Sequence, residues 1–166
     1  FGSDILTQDI SKCLNVSLPE AERLKILYGD MALERINQKE TIEINSKTEG
    51  RKTIKRLLLC QILEARLKEI VNYIHKKCPV FTNKNYKLIL AGGGSLLKGF
   101  KEYIEKDYRD NVRQGLPEPI QGILESSTYA TAGGLVLYGL KTNAIEYVPQ
   151  HYSISNKLKK WLRKHL

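Results

Sequence analysis

The chain has 166 residues, 42% of them hydrophobic, enough for one domain or two small subdomains with a sizeable core. It contains no run of about 18 apolar residues, the length a membrane-crossing helix needs. Its 27 Lys and Arg against 18 Asp and Glu leave a net charge of +9, which raises the question of an acidic partner.

That charge is concentrated in two islands. Residues 51–77 hold eight basic groups against two acidic ones, and residues 153–166 hold five against none. The rest of the chain is slightly acidic. Two separate islands differ from the continuous basic face of a nucleic-acid binder. Only Tyr73 interleaves with the internal island, too little aromatic surface for base stacking. The reading is therefore no nucleic acid.

The chain begins at Phe1 rather than Met, which reads as a fragment or a processed product, with Gly2-Ser3 as a turn. A helix is expected from Ile5 to Leu14. Ser17-Leu18-Pro19-Glu20 reads as a capping box, with Ser17 at the N-cap and Glu20 three residues on. The helix it opens, Ala21–Tyr28, stops at Gly29. Period-two alternation over Thr41–Ile44 predicts a short strand, followed by a polar loop over 45–50. Residues 53–76 read as one long helix, with Leu59, Leu63, Leu67, Ile70 and Ile74 on a single stripe. Glu64 and Lys68 form an i,i+4 pair on another face. Cys78-Pro79 ends it.

The apolar run Leu88–Ala91 precedes three glycines and reads as a strand buried on both faces. Leu96–Lys106 is expected to be helical. A last core helix is expected over 126–140, with Ala130, Ala132, Gly133 and Gly134 allowing close backbone packing. A polar linker follows, then a tail helix. Helix, strand, glycine turn and helix together predict an α/β fold. The cysteines, Cys13, Cys60 and Cys78, are odd in number and scattered. His75 and Cys78 are spaced like metal ligands, but no second pair completes a site. The cysteines read as reduced thiols of a cytoplasmic protein.

Three constellations carry chemistry. In Lys87–Leu96 a strand runs into Gly92, Gly93, Gly94 and Ser95. Glycines let backbone approach a ligand where a Cβ would clash, and amides at a helix start offer donors to an anion or to ribose oxygens. A tight turn with no ligand is an equal reading. In Glu20–Lys25, Glu22 and Lys25 share a helical face and can hydrogen-bond sugar hydroxyls, or form a solvated charged face. In the tail, Ile154, Leu158, Trp161, Leu162 and Leu166 make one apolar stripe. Lys157, Lys159, Lys160, Arg163 and Lys164 occupy the remaining surface, with no acid. That is the pattern of a helix lying in a membrane interface, with Trp at headgroup depth. Each basic residue gains about 1 kcal/mol near anionic lipid. A core-docked terminal helix, a frayed tail and a calmodulin-type target share parts of the pattern.

Several of these segments, in this order, resemble the C-terminal part of the bacterial actin-like FtsA cell-division family. Gly2-Ser-Asp-Ile-Leu-Thr-Gln-Asp-Ile10 is similar to its G-G-x-x-x-T-x-D-I segment, with Ser3 in place of the second glycine. Pro19–Gly29 resembles its E-A-E-x-L-K…G helix. Leu90–Gly99 resembles the adenosine motif of the actin and heat-shock-chaperone superfamily. Tyr129–Leu135 resembles a segment of the last core helix, and Lys159–Lys164 the membrane-targeting helix.

The resemblance implies an incomplete actin-like (ribonuclease-H-like) second half. Residues 1–52 would be a small outer subdomain and 53–147 a large inner one. Residues 148–156 would be a linker and 157–166 a membrane-targeting amphipathic helix. Glu22, Lys25, Gly92, Gly93, Gly94 and Ser95 would line part of an ATP site. Arg51, Lys52, Lys55 and Arg56 would meet the acidic C-terminal peptide of FtsZ, unless they are only a solvated helix start. The protein would self-associate as an actin-like filament on the cytoplasmic face of the inner membrane, at the division site. The two D-x-G-x-x-T phosphate loops have no counterpart in the 166 residues, so this chain is not expected to hydrolyse ATP. A chaperone-type or pilus-assembly ATP-binding module of the same superfamily is the alternative.

Overall fold

The computed structural model of the chain describes residues 2–78, 87–108, 112–116 and 126–142. The backbone forms two units, 1–134 and 135–166. In the second, the described residues are the end of one helix, where the Thr142 hydroxyl donates to the Tyr138 carbonyl at 2.8 Å. The linker 148–156 and the tail stripe Ile154, Leu158, Trp161, Leu162 and Leu166, with its flanking cations, lie outside the described residues.

The first unit opens with α1 (Asp4–Leu14) and α2 (Leu18–Tyr28). Asn15 closes α1 at φ 52°, a left-handed position that Asn tolerates. Ser17 caps α2 as expected, its hydroxyl accepting from the Glu20 amide at 3.3 Å. The reciprocal half of the capping box does not form. The Glu20 carboxylate instead accepts from Arg23 at 2.8 Å and from the Asn45 amide at 3.1 Å. An arginine one turn on is a stronger partner than a neutral N-cap amide.

β1 (Thr41–Ser46) and β2 (Gly50–Lys55) form an antiparallel hairpin pairing Thr41 with Lys55 and Ser46 with Gly50. This corrects two expectations. Residues 45–46 belong to a strand, and the long helix begins at Arg56, not at 53. The register gives the reason: Ile54 sits opposite Ile42, so the strand assignment adds its side chain to the apolar face of β1. Gly50, at φ 69°, closes the turn.

α3 (Arg56–Lys77) buries Leu59, Leu63, Leu67 and Val71. Ile70 and Ile74 are only half-buried. α1, α2, α3 and the inner face of the hairpin share one core around the fully buried Ile10, Leu24, Met31, Ile44, Leu59 and Leu63. Each such side chain contributes about 1.5–3 kcal/mol.

β3 (Leu88–Leu90) and β4 (Val112–Gln114) pair in parallel, with α4 (Phe100–Tyr108) between them in sequence. β3 is not buried on both faces. Leu88 and Leu90 pack on the core, but Ile89 is 49% exposed, on the opposite face of the pleat. The helix expected from Leu96 starts at Phe100. Gly93–Leu96 form a single 3-10 turn, and Gly99 at φ 73° interrupts the chain before α4. Another 3-10 turn, Ser127–Tyr129, leads into α5 (Ala130–Thr142), whose one buried residue is Gly133.

Candidate functional site

The N-terminal turn, α2 and the glycine turn border a cleft of about 490 Å³ lined by Ser3, Leu6, Glu22, Lys25, Ile26, Gly93, Gly94, Leu96 and Lys98 among others. Glu22 and Lys25, one turn apart on α2, pair at 2.7 Å. The buried Lys25 ammonium also donates to the Thr7 hydroxyl at 2.8 Å and to the Ser3 carbonyl at 3.4 Å. All three of its hydrogens are engaged. The Thr7 hydroxyl donates in turn to Glu22 Oε2. Burial works to raise the Glu22 carboxyl. The hydrogen bonds from Lys25 and Thr7, with the Lys25 charge, outweigh it and hold the group below the usual carboxylate value.

Thr7 is the threonine of the Gly2–Ile10 segment, but no role at the site was read for it from the sequence. Its signal was there: Thr7 and Ser11 are polar residues at i,i+4 beside the buried Leu6, Ile10 and Leu14. A polar side chain on an apolar face needs an internal partner. Here that partner is the cation of α2.

The glycine turn is held by its own hydrogen bonds. Gly92, at φ 86°, donates its amide to the Ser127 carbonyl at 3.0 Å. The buried Ser95 hydroxyl donates to the Gly92 carbonyl at 2.7 Å and lies 2.9 Å from the Ser127 hydroxyl. Ser95 therefore braces the turn, with its hydroxyl already engaged there. Gly93 and Gly94 line the cleft, and a Cβ on Gly94 would lie 3.4 Å from the Ser3 side chain. A second hollow of about 470 Å³ shares Ser3, Gly93 and Gly94 and reaches Asp4, Gly92, Phe100 and Thr131. Glu22, Lys25, Gly93 and Gly94 thus meet at one place, with Gly92 and Ser95 immediately behind.

The internal basic island divides differently. Arg51 and Lys55 lie on the outer, exposed face of β2, and Lys52 on the face toward Ile44. Arg51 comes within 4.0 Å of Glu43, and Lys52 pairs with Glu49 at 2.7 Å. Arg56 is part of the interior framework. Its guanidinium donates to the Tyr28 carbonyl and to Glu40, both at 2.9 Å, and lies 3.8 Å from the buried Asp30. Among the described residues no three His, Cys, Asp or Glu gather to hold a metal ion.

The family model of the cell division protein FtsA matches residues 1–134. Curated relatives align with nearly the whole chain. They include the cell division protein FtsA of Buchnera aphidicola (26% identical, 99% of this chain, 42% of the relative). FtsA of Neisseria meningitidis is 27% identical over 97% of this chain and 43% of the relative. FtsA of Escherichia coli is 24% identical over 99% and 44%. The chain thus spans less than half the length of these relatives. Among solved structures, MreB5 of Spiroplasma citri bound to ADP superposes with a TM-score of 0.59, covering 87% of this chain and 46% of that one at 14% identity. The fold is accordingly actin-like.

Proposed function

The chain belongs to the FtsA cell division protein family, and from that premise we propose that it is part of a scaffold tying FtsZ filaments to the cytoplasmic membrane at the division site. It contributes one side of an ATP cleft. The observation that carries this reading is the meeting of Glu22 and Lys25 with Gly93 and Gly94 around one cleft. A carboxylate locked to a buried lysine presents fixed acceptors for sugar hydroxyls. Two glycines beside it leave room for a flat base or a ribose. The solved relative of the same fold carries ADP. No D-x-G-x-x-T loop occurs in the sequence, so this chain binds without hydrolysing.

The outer face of the hairpin, with Arg51 and Lys55, supplies positive charge for the acidic FtsZ C-terminal peptide. The tail stripe around Trp161 supplies the anchor on anionic lipid. The actin-like fold supports a reading of self-association as a filament. The test is sedimentation of FtsZ filaments with anionic liposomes light enough to float. FtsZ is expected in the lipid fraction only when this chain is added. Equal recovery without the chain sinks the tether.

A further inference from the structure

The cleft has two facing walls. α2 supplies Glu22, Lys25 and Ile26, and the glycine turn supplies Gly93, Gly94 and Leu96. Beyond α2 the chain continues through Gly29, Asp30 and Met31. Beyond the turn it continues through Leu97, Lys98 and Gly99. These two short segments cross. The Met31 amide donates to the Lys98 carbonyl at 2.8 Å. A Cβ on Gly29 would lie 3.0 Å from the Leu97 side chain, and Gly99 has no room for one beside Asp30. A glycine on each segment thus lets the backbones meet where a larger residue would push them apart.

Asp30 is the charged group at that crossing, its side chain only 3% exposed. Its carboxylate accepts from the Ala32 amide at 2.9 Å on its own segment. It pairs with Lys98 of the other segment at 3.3 Å. Arg35 and Arg56 each lie 3.8 Å away. A buried carboxylate is costly when its partners withdraw, so Asp30 resists any motion that parts the two segments. Each segment leads directly into one wall of the cleft.

We propose that Asp30 is a positioning residue of the cleft: without touching a ligand, it sets the separation of α2 from the glycine turn. The ligand in this proposal rests on the nucleoside reading above. The separation itself does not.

The separation is measured by electron-spin dipolar distances between labels at Ile26→Cys and Leu96→Cys, exposed positions on opposite walls. Cys13 and Cys78 are replaced by Ser, and the buried Cys60 is kept. Adenosine affinity is measured on the unlabelled chains. Asp30→Asn keeps an acceptor for the Ala32 amide and removes the charge. Gly99→Ala presses on the same carboxylate from the other segment. Both are expected to widen or broaden the distance and to weaken adenosine binding about tenfold, the scale of one charged hydrogen bond. Gly50→Ala, a strained turn at the far end of the hairpin, is expected to change neither. An unchanged distance in either folded variant overturns the proposal, as does a widened cleft with parental adenosine affinity. Equal weakening in Gly50→Ala overturns it, because lost stability then explains the effect. Failure of both variants to fold also overturns it, Asp30 then serving folding alone. Widening in both variants of a chain that binds no adenosine upholds the positioning role and removes the nucleoside reading.

Discussion

A Cβ on Gly99 would stand 2.7 Å from Asp30 Oδ1 and 2.9 Å from the Ala32 amide nitrogen, so the turn before α4 packs directly against a buried carboxylate. Gly50 shares the left-handed backbone, φ 69° against 73°, but nothing lies within 4 Å of its would-be Cβ. The pair separates backbone strain from steric conflict. Gly50→Ala is expected to cost about 1–2 kcal/mol, the price of left-handed backbone alone. Gly99→Ala is expected to cost clearly more, about 3 kcal/mol, because Asp30 must also move. Urea unfolding of the two variants measures the difference. Equal losses would mean that the Asp30 contact relaxes freely.

Glu22 gives the fold a pH dependence of known sign. Its carboxyl titrates lower in the folded chain than in the unfolded one. The stability it adds is complete above the unfolded value and is lost as pH falls through the folded one, below about pH 5. Glu22→Gln is expected to flatten the stability profile in that window. Glu20, also lowered, chiefly by its hydrogen bond from Arg23, keeps part of the slope. An unchanged acid profile in Glu22→Gln would show that the contact with Lys25 does not favour the ionised form.

Much of what this fold writes locally was legible, and the strand pairings were not. Ser17 and Pro19 mark the start of α2, and the 59–63–67 stripe marks α3, because caps and helical faces depend on residues within two turns. β2 was missed because Lys52-Thr53-Ile54-Lys55 makes sense as a strand only opposite Ile42 and Ile44. β4 lies opposite β3 for the same reason. At the site, Glu22 and Lys25 share one face of one helix, so their partnership was readable. Thr7 lies 15 residues from Glu22, and Lys98 68 residues from Asp30. No local pattern contains those separations.

The three thiols should react at different rates. Cys13 and Cys78 are exposed, whereas Cys60 is fully buried, its sulfur donating to the Tyr28 carbonyl. Burial pushes the Cys60 thiol up, which suppresses the reactive thiolate. Iodoacetamide at neutral pH is expected to add two groups quickly and the third only with denaturant, as followed by mass spectrometry. Three equal rates would contradict the packing of α3 against the end of α2.

The tail prediction rests on sequence. Trp161→Ala with Leu162→Ala removes the largest apolar pair of the terminal stripe and leaves all five cations. Burial of those two side chains in the interface is worth about 3–6 kcal/mol, so the double variant is expected to lose nearly all pelleting with anionic liposomes. Its melting temperature should match that of the parent. Undiminished pelleting would leave charge alone as the attachment, and 1 M salt would then release the protein.

Arg56 and its neighbours in the basic island should separate into framework and surface. Arg56→Ala removes hydrogen bonds to the Tyr28 carbonyl and to Glu40 and one of the cations around Asp30. It is expected to destabilise the fold by about 2 kcal/mol. Any loss of FtsZ-peptide binding in that variant would then follow from unfolding. Arg51→Glu with Lys55→Glu changes the outer face of β2, where Arg51 has only the long contact with Glu43. That double variant is expected to keep its melting temperature and to bind the peptide at least tenfold more weakly, with the remaining affinity less sensitive to salt. Peptide affinity unchanged by the double reversal would exclude the hairpin face as the docking surface. Affinity lost in Arg56→Ala at full stability would return Arg56 to the interface.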